Sequence, residues 1–145
     1  MSVKPIPEGF HTVTPYIMVH GAKKYMEFLE KAFDAKINSV FENNGSVMNA
    51  EVRIGSSLIM VGDVPEGHKP SDAMYYVYVP DADALFKQAV AAGAESLYEP
   101  MDQFYGDRSG AVKDTSGNVW WIATHVKDIS EEELKKLAAE QKDVK

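Results

Sequence analysis

One order of elements occurs twice in this chain, and that repetition limits the folds open to it. A strand is read from His11 to Val19, with prolines before it and Gly21 after it. A helix follows from about Ala22 to Phe33, with Ala22, Tyr25, Met26, Leu29, Ala32 and Phe33 at helical spacing. Three short strands come next: Lys36 to Phe41, ending at Asn43-Asn44-Gly45; Ser46 to Ile54, ending at Gly55-Ser56; and Leu58 to Val61, ending at Gly62-Asp63. Asn-Gly signals a tight hairpin, because both central residues must take positive φ. After a Pro-, Gly- and charge-rich stretch the order returns. Ala73 to Val79 reads as a strand, Asp81 as the N-cap of a helix that stops at Gly93, and Glu95 to Glu99, Ser109 to Lys113 and Val119 to His125 as three more strands. Tyr16 to Val19 then matches Tyr76 to Val79, and Leu58-Ile59-Met60 matches Val119-Trp120-Trp121. A last helix begins at Ser130, where Ser130 and Glu133 form a capping-box pattern and Leu134, Leu137 and Ala138 give one apolar stripe.

The predicted fold class is α+β: tandem βαβββ modules forming a cupped eight-stranded mixed sheet, plus a C-terminal helix. The whole chain, 1–145, is read as one domain, with module one at about 10–63, a linker at about 64–72, module two at about 73–126 and the last helix at about 130–142. A chain of 145 residues with 45% hydrophobic content can bury a core without staples. It has no cysteine, so disulfides, thiolate nucleophiles and zinc-thiolate sites are excluded. The net charge of −7 argues against nucleic acid as a partner, since phosphate binding needs a basic surface. No stretch approaches the roughly 18 apolar residues of a membrane span. The first ten residues lack the apolar run of a signal peptide. The expectation is a cytoplasmic protein that meets neither nucleic acid nor membrane.

Strand alternation predicts what a cleft between such modules would hold. Ile17, Val19, Val77 and Val79 suit the helix side, as do Met48, Ala50, Val52 and Ile54 of the third strand. The other side receives Thr14, Tyr16, Met18, Met74, Tyr76 and Tyr78, with Leu58, Met60, Val119, Trp121 and His125 and the polar Asn49, Glu51 and Arg53. Aromatic and Met side chains with a few polar groups suit a small, partly apolar ligand. The same stripe could be ordinary core, although Asn49, Glu51 and Arg53 would be costly to bury without partners.

Several stretches together resemble one family: Ile6-Pro7-Glu8-Gly9-Phe10-His11-Thr12-Val13-Thr14-Pro15-Tyr16, Ala50-Glu51-Val52-Arg53-Ile54-Gly55, Asp102-Gln103-Phe104-Tyr105-Gly106-Asp107-Arg108-Ser109-Gly110, and Asp114 followed by Gly117-Asn118-Val119-Trp120. The chain resembles the vicinal oxygen chelate superfamily (the glyoxalase/bleomycin resistance/dioxygenase fold), in its PhnB-like branch, from about Ile6 to Ser130. The resemblance implies paired βαβββ modules, a common homodimer and, in the superfamily's metal enzymes, a divalent ion held by His and Glu. Carried over, the four ligand places fall near Thr14, Met60, Met74 and Trp121. None is His, Asp or Glu, and a hard divalent ion needs oxygen or imidazole ligands.

These readings give three functional expectations. The first is a metal-free binding protein for a small molecule, with no cofactor, lined by Tyr16, Tyr76, Tyr78, Met60, Met74 and Trp121, with Asn49, Glu51 and Arg53 for polar recognition. Arg108 could add a bidentate clamp for an anionic group, oriented by Asp107, or Asp107 and Arg108 could form a structural turn. The second is a lyase, isomerase or dioxygenase with a divalent metal at a non-standard site near His11 and Glu51. The third is a homodimeric interaction module without a ligand.

Overall fold

The computed structural model describes residues 3–142. They form two compact units that divide between Asp72 and Ala73. The first holds β1 (Tyr16–Val19), α1 (Ala22–Phe33), β2 (Lys36–Asn43), β3 (Ser46–Ile54) and β4 (Ser57–Asp63). The second holds β5 (Met74–Tyr78), α2 (Ala82–Ala91), β6 (Glu95–Asp102), β7 (Asp107–Lys113), β8 (Val119–His125) and α3 (Glu131–Lys142). The eight strands are hydrogen bonded as two four-stranded sheets of the same order, β1-β4-β3-β2 and β5-β8-β7-β6. In each sheet the first strand runs parallel to the last, and the other pairs are antiparallel. The βαβββ repeat read from the sequence is therefore the architecture.

The two units agree in details that element order alone would not require. β2 carries an extra residue, Asn38, between the pairs Ile37–Val52 and Ser39–Glu51; β6 carries Leu97 between Ser96–Val112 and Tyr98–Ala111. A bulge thus sits at the same register of each sheet. The helix starts also agree. The backbone N–H of Ala22 donates to Asp63 Oδ1 at 2.8 Å, and that of Ala82 donates to Thr124 Oγ at 2.9 Å. Asp63 and Thr124 hold equivalent positions near the ends of β4 and β8. The first turn of a helix leaves N–H groups without intrahelical partners, and here a strand supplies the acceptor. Asp63 also accepts from Val47 N at 2.7 Å. Its burial pulls its pKa upward, but the backbone N–H donors outweigh that and hold it below the ordinary carboxyl value. Asp63→Ala should cost about 2 kcal/mol and Thr124→Val about 1 kcal/mol in urea unfolding, the larger loss falling where one carboxylate satisfies two backbone donors.

Packing follows the helical stripe. Tyr25, Met26, Phe28, Leu29 and Phe33 of α1 are buried with Ile17, Val19, Val52 and Val61; Phe86 and Ala89 of α2 are buried, as are Val112 and Ile122. Asn44 and Gly45 both have positive φ, as the Asn-Gly hairpin requires. Asp81 caps α2 through Ala84 N, and Ser130 Oγ accepts from Glu133 N, as half of the capping box. Leu134, Leu137 and Ala138 are half-buried.

Several readings need correction, among them the sixth strand, which runs on to Asp102, and the seventh, which starts at Asp107 rather than Ser109. The first strand starts at Tyr16, not His11, because Pro15 has no N–H for the ladder. The fourth strand runs on through Gly62 to Asp63. Met48 does not face α1: the register passes from Phe41–Asn49 to Glu42–Val47, so Met48 is an extra residue, half exposed, and Val47 takes the buried place. The linker is also more than a spacer. Ser71 accepts from Met18 N through Oγ at 2.8 Å and donates its own N–H to Met18 O at 2.7 Å, pairing with the free edge of β1.

Candidate functional site

In the second unit, alternation sends Val77 inward and Tyr76 and Tyr78 to the face turned away from α2. Tyr78 is paired in register with Ala123 of β8, and Ala123 with Ser109 of β7. These small residues leave room for the tyrosine rings to cross β8. Both hydroxyls reach Asp107 on β7: Tyr76 donates to Oδ2 at 2.7 Å and Tyr78 to the same oxygen at 3.0 Å. The two rings lie 5.1 Å apart. Asp107 is the register partner of His125, whose Nδ1 sits 2.9 Å from Oδ1. The other imidazole nitrogen, Nε2, is 2.7 Å from Oδ1 of the fully exposed Asp128. One row along, Ala111 lies between Trp121 and Tyr98, and these two rings stack at 5.5 Å and 13°. The bulge at Leu97 is what brings Tyr98 into that row. The result is an aromatic face with a buried carboxylate at one end.

Electrostatics make this cluster a fixed hydrogen-bond array. Burial pushes the Asp107 carboxyl upward, but donation from His125, Tyr76 and Tyr78 wins and its pKa is lowered. Tyr76 is raised by burial first and by its bond to Asp107 second; Tyr78 is raised chiefly by its bond to Asp107. His125 is raised by its bonds to Asp128 and then Asp107, which favour the imidazolium. The carboxylate is a weak base, the phenols hold their protons, and the imidazole has carboxylates at both nitrogens. The arrangement holds these four side chains in fixed positions.

Arg108 lies on the opposite face, toward α2. Its Nε and Nη2 donate to the two oxygens of Asp83 at 2.7 and 2.9 Å, and Nη1 donates to Asp102 at 3.3 Å. Asp83 is held below the ordinary carboxyl value by this guanidinium. Arg108 is thus engaged by two carboxylates, and Asp107 binds the tyrosines and His125 instead of Arg108.

The remaining predicted residues lie on the matching face of the first unit, except Met74, which is exposed on β5 beside Val119. The row Tyr16–Met60–Glu51–Ser39 corresponds to Tyr76–Trp121–Ala111–Tyr98. Tyr16 donates to Met48 O at 2.8 Å, and Glu51 accepts from Ser39 Oγ at 3.0 Å. Asn49 and Arg53 are half-buried. Residues of the N-terminal segment, Pro5, Ile6, Pro7, Phe10, His11, Thr12 and Thr14, line a depression of about 230 Å³ with Met60. Among the described residues no hydrogen bond or ion pair joins His11 to Glu51, and no three His, Asp or Glu side chains converge on a metal-holding point. At the four places the family resemblance marks for metal ligands, Thr14, Met60, Met74 and Trp121, the donors are one hydroxyl, two thioethers and an indole. That chemistry does not fit a hard divalent ion.

Sequence reasoning missed Tyr98 and Asp128, and it gave Asp107 a different partner. Strand pairing carries the missing signal: once β7 and β8 are registered, Asp107 and His125 are neighbours, and a carboxylate beside an imidazole invites a search for further donors.

A family profile described as the Glyoxalase/Bleomycin resistance protein/Dioxygenase superfamily matches residues 9–122. The uncharacterized protein Mb0911c of Mycobacterium bovis is 30% identical over 143 residues, covering 90% of this chain and 94% of that protein. Among solved structures, TioX from Micromonospora sp. ML1 is similar with a TM-score of 0.65 at 20% identity, over 79% of this chain and 99% of TioX. A Bacillus cereus structure described as a putative 3-demethylubiquinone-9 3-methyltransferase, PhnB protein, gives a TM-score of 0.60 at 19% identity, over 79% of this chain and 99% of that one. At these identities the structural likeness speaks for the fold alone. The profile match spans both βαβββ units, and the chain belongs to the glyoxalase/bleomycin resistance protein/dioxygenase superfamily.

Proposed function

We propose that the chain binds a small, partly apolar molecule on the face formed by Tyr76, Tyr78, Tyr98 and Trp121, without using a resident metal ion. The observation that carries this reading is the stacked Tyr98–Trp121 pair beside tyrosines pinned by Asp107. A ring surface of this kind is fixed before a ligand arrives, so little side-chain entropy is lost on binding. The reading places the protein in the cytoplasm as a homodimer. Phe41, 65% exposed on the edge strand β2, favours a second copy.

The test is a screen of planar two- and three-ring aromatic compounds, quinoline and acridine among them, read by tryptophan fluorescence and melting temperature. At least one is expected to quench the fluorescence, and Tyr98→Ala should weaken it by up to about tenfold. No response to any compound would remove the binding reading. Elemental analysis of the same sample, followed by titration with nickel, zinc and manganese, checks the metal-free part; tight binding near one ion per subunit would remove that part. Sedimentation equilibrium checks the dimer, and a monomer mass would rule it out.

A further inference from the structure

The polarity of the aromatic face in the second unit narrows the kind of ligand it can hold, given the binding reading above. A phenol has one proton to donate, and Tyr76 and Tyr78 each give theirs to Asp107. What the Tyr78 oxygen can still offer a ligand is acceptor capacity, while that of Tyr76 is shared with Tyr105 and Ser109. Both imidazole nitrogens of His125 are likewise taken by carboxylates, Asp107 on one side and Asp128 on the other. Asp128 is fully exposed and uses one oxygen on His125, so the other is open to a ligand. Counting Asp107 and Asp128 against a charged His125, this end of the face is negative, and it becomes more so when His125 loses its proton. The nearest arginine offers no compensation, because Arg108 points to the other side of the sheet and is engaged by Asp83 and Asp102.

The rings add a second preference of the same sign. Aromatic faces carry negative quadrupole potential and attract cations, Trp most strongly. Trp121 is the register partner of Tyr76, so the Tyr98–Trp121 stack lies in the strand row from which the Tyr76 ring runs toward Asp107. An anionic ligand would meet acceptors and a carboxylate where it needs donors. A neutral hydrocarbon would leave the acceptors unused.

We infer that the ligand of this face is a planar aromatic cation, its rings against Tyr98 and Trp121 and its positive charge toward Tyr76, Tyr78 and the carboxylate of Asp128. The inference rests on the binding reading above, and three probes of one size separate the two: N-methylquinolinium, quinoline at mildly alkaline pH where it is neutral, and 2-naphthoate. Binding to the full-length protein is followed by tryptophan fluorescence and calorimetry. N-methylquinolinium should bind about tenfold tighter than quinoline, with 2-naphthoate weakest. The advantage should shrink as salt rises. It should also fall to about threefold or less in Asp128→Asn, an exposed substitution that does not threaten folding, and in Asp107→Asn. If quinoline binds as well as the cation, or 2-naphthoate binds best, the cation inference is overturned while the binding reading stands. An advantage unchanged in both variants also overturns it. If none of the three binds at millimolar concentration, both readings fail.

Discussion

Asp107→Ala is expected to lower stability by about 3 kcal/mol, among the larger losses available from one side chain in this protein. The carboxylate is 4% exposed and receives hydrogen bonds from Tyr76, Tyr78 and His125. Removing it leaves two phenols, on tyrosines 42% and 63% exposed, and an imidazole without their acceptor, and each must turn to water or move. Asp107→Asn keeps the volume but brings an amide that competes as a donor, so it should recover only part of the loss. The difference between the native protein and either variant should depend on pH in a defined way. Asp107 has a lowered pKa, so its contribution is present above the unfolded carboxyl value of about 3.9 and is lost as pH falls through the lower folded value. His125 has a raised pKa, so its contribution is complete below the unfolded value of about 6.5 and is lost as pH rises through the higher folded value. The stability difference should therefore be greatest between about pH 4 and 6.5 and decline on both sides. Urea unfolding from about pH 3 to 9, followed by tryptophan fluorescence, measures it. A difference that is flat across that range would show that Asp107 contributes only packing.

Gly110→Ala should be at least as damaging, for a steric reason. Gly110 lies within β7, and a Cβ there would sit 2.6 Å from Tyr98 O and 2.7 Å from Pro100 N. Both are backbone atoms of the bulged part of β6, so no side chain can swing aside. The strands would have to separate, disturbing the segment that sets Tyr98 over Trp121. A cost of about 3 kcal/mol or more is expected, with loss of the Tyr98–Trp121 stacking signature in near-ultraviolet circular dichroism. Gly117→Ala is the control. Its φ is +92, yet nothing lies within 4 Å of the added carbon, so only the conformational cost of about 1–2 kcal/mol applies. Equal losses at the two positions would contradict the close-approach explanation.

The extent to which this fold was legible varied with the kind of signal. The bounds of α1 follow from its apolar spacing, and those of β3 and β8 from the turns around them, because each signal lies within its own element. Asn44-Gly45 was legible for the same reason. The side-chain parity of β3 was not. Its bulge at Met48 carries no glycine, and a single extra residue reverses which of Val47 and Met48 is buried. The candidate site was legible as a composition and not as a geometry. Tyr76, Tyr78 and Trp121 were placed on the correct face by alternation. That Asp107 gathers the two tyrosines and His125 depends on which strands are neighbours and on Ala123 and Ser109 being small. Arg108 shows the limit from the other side: its neighbour in sequence is Asp107, while its partner Asp83 comes from the first turn of α2. The Asp114 to Trp120 stretch, one of those that carried the family resemblance, builds a turn. Asp114 accepts from Ser116 N, Asn118 N and Trp120 Nε1, and buried Asn118 accepts from Ala73 N.

The helix starts carry a consequence for the order of events in folding. Ala22 N finds its acceptor 41 residues later, and Ala82 N finds its acceptor 42 residues later. A side-chain cap from a neighbouring residue can form as soon as the helix does, whereas these bonds wait for β4 or β8 to be laid beside β1 or β5. Strand pairing is slow compared with helix formation, so the first turn of α1, which has no side-chain cap of its own, becomes secure only when its sheet closes, whereas that of α2 also has the local Asp81 cap. During synthesis, α1 emerges well before the strand that ends at Asp63. The first unit thus ties completion of its helix to arrival of its last strand, which makes that unit, when half made, open at both places together.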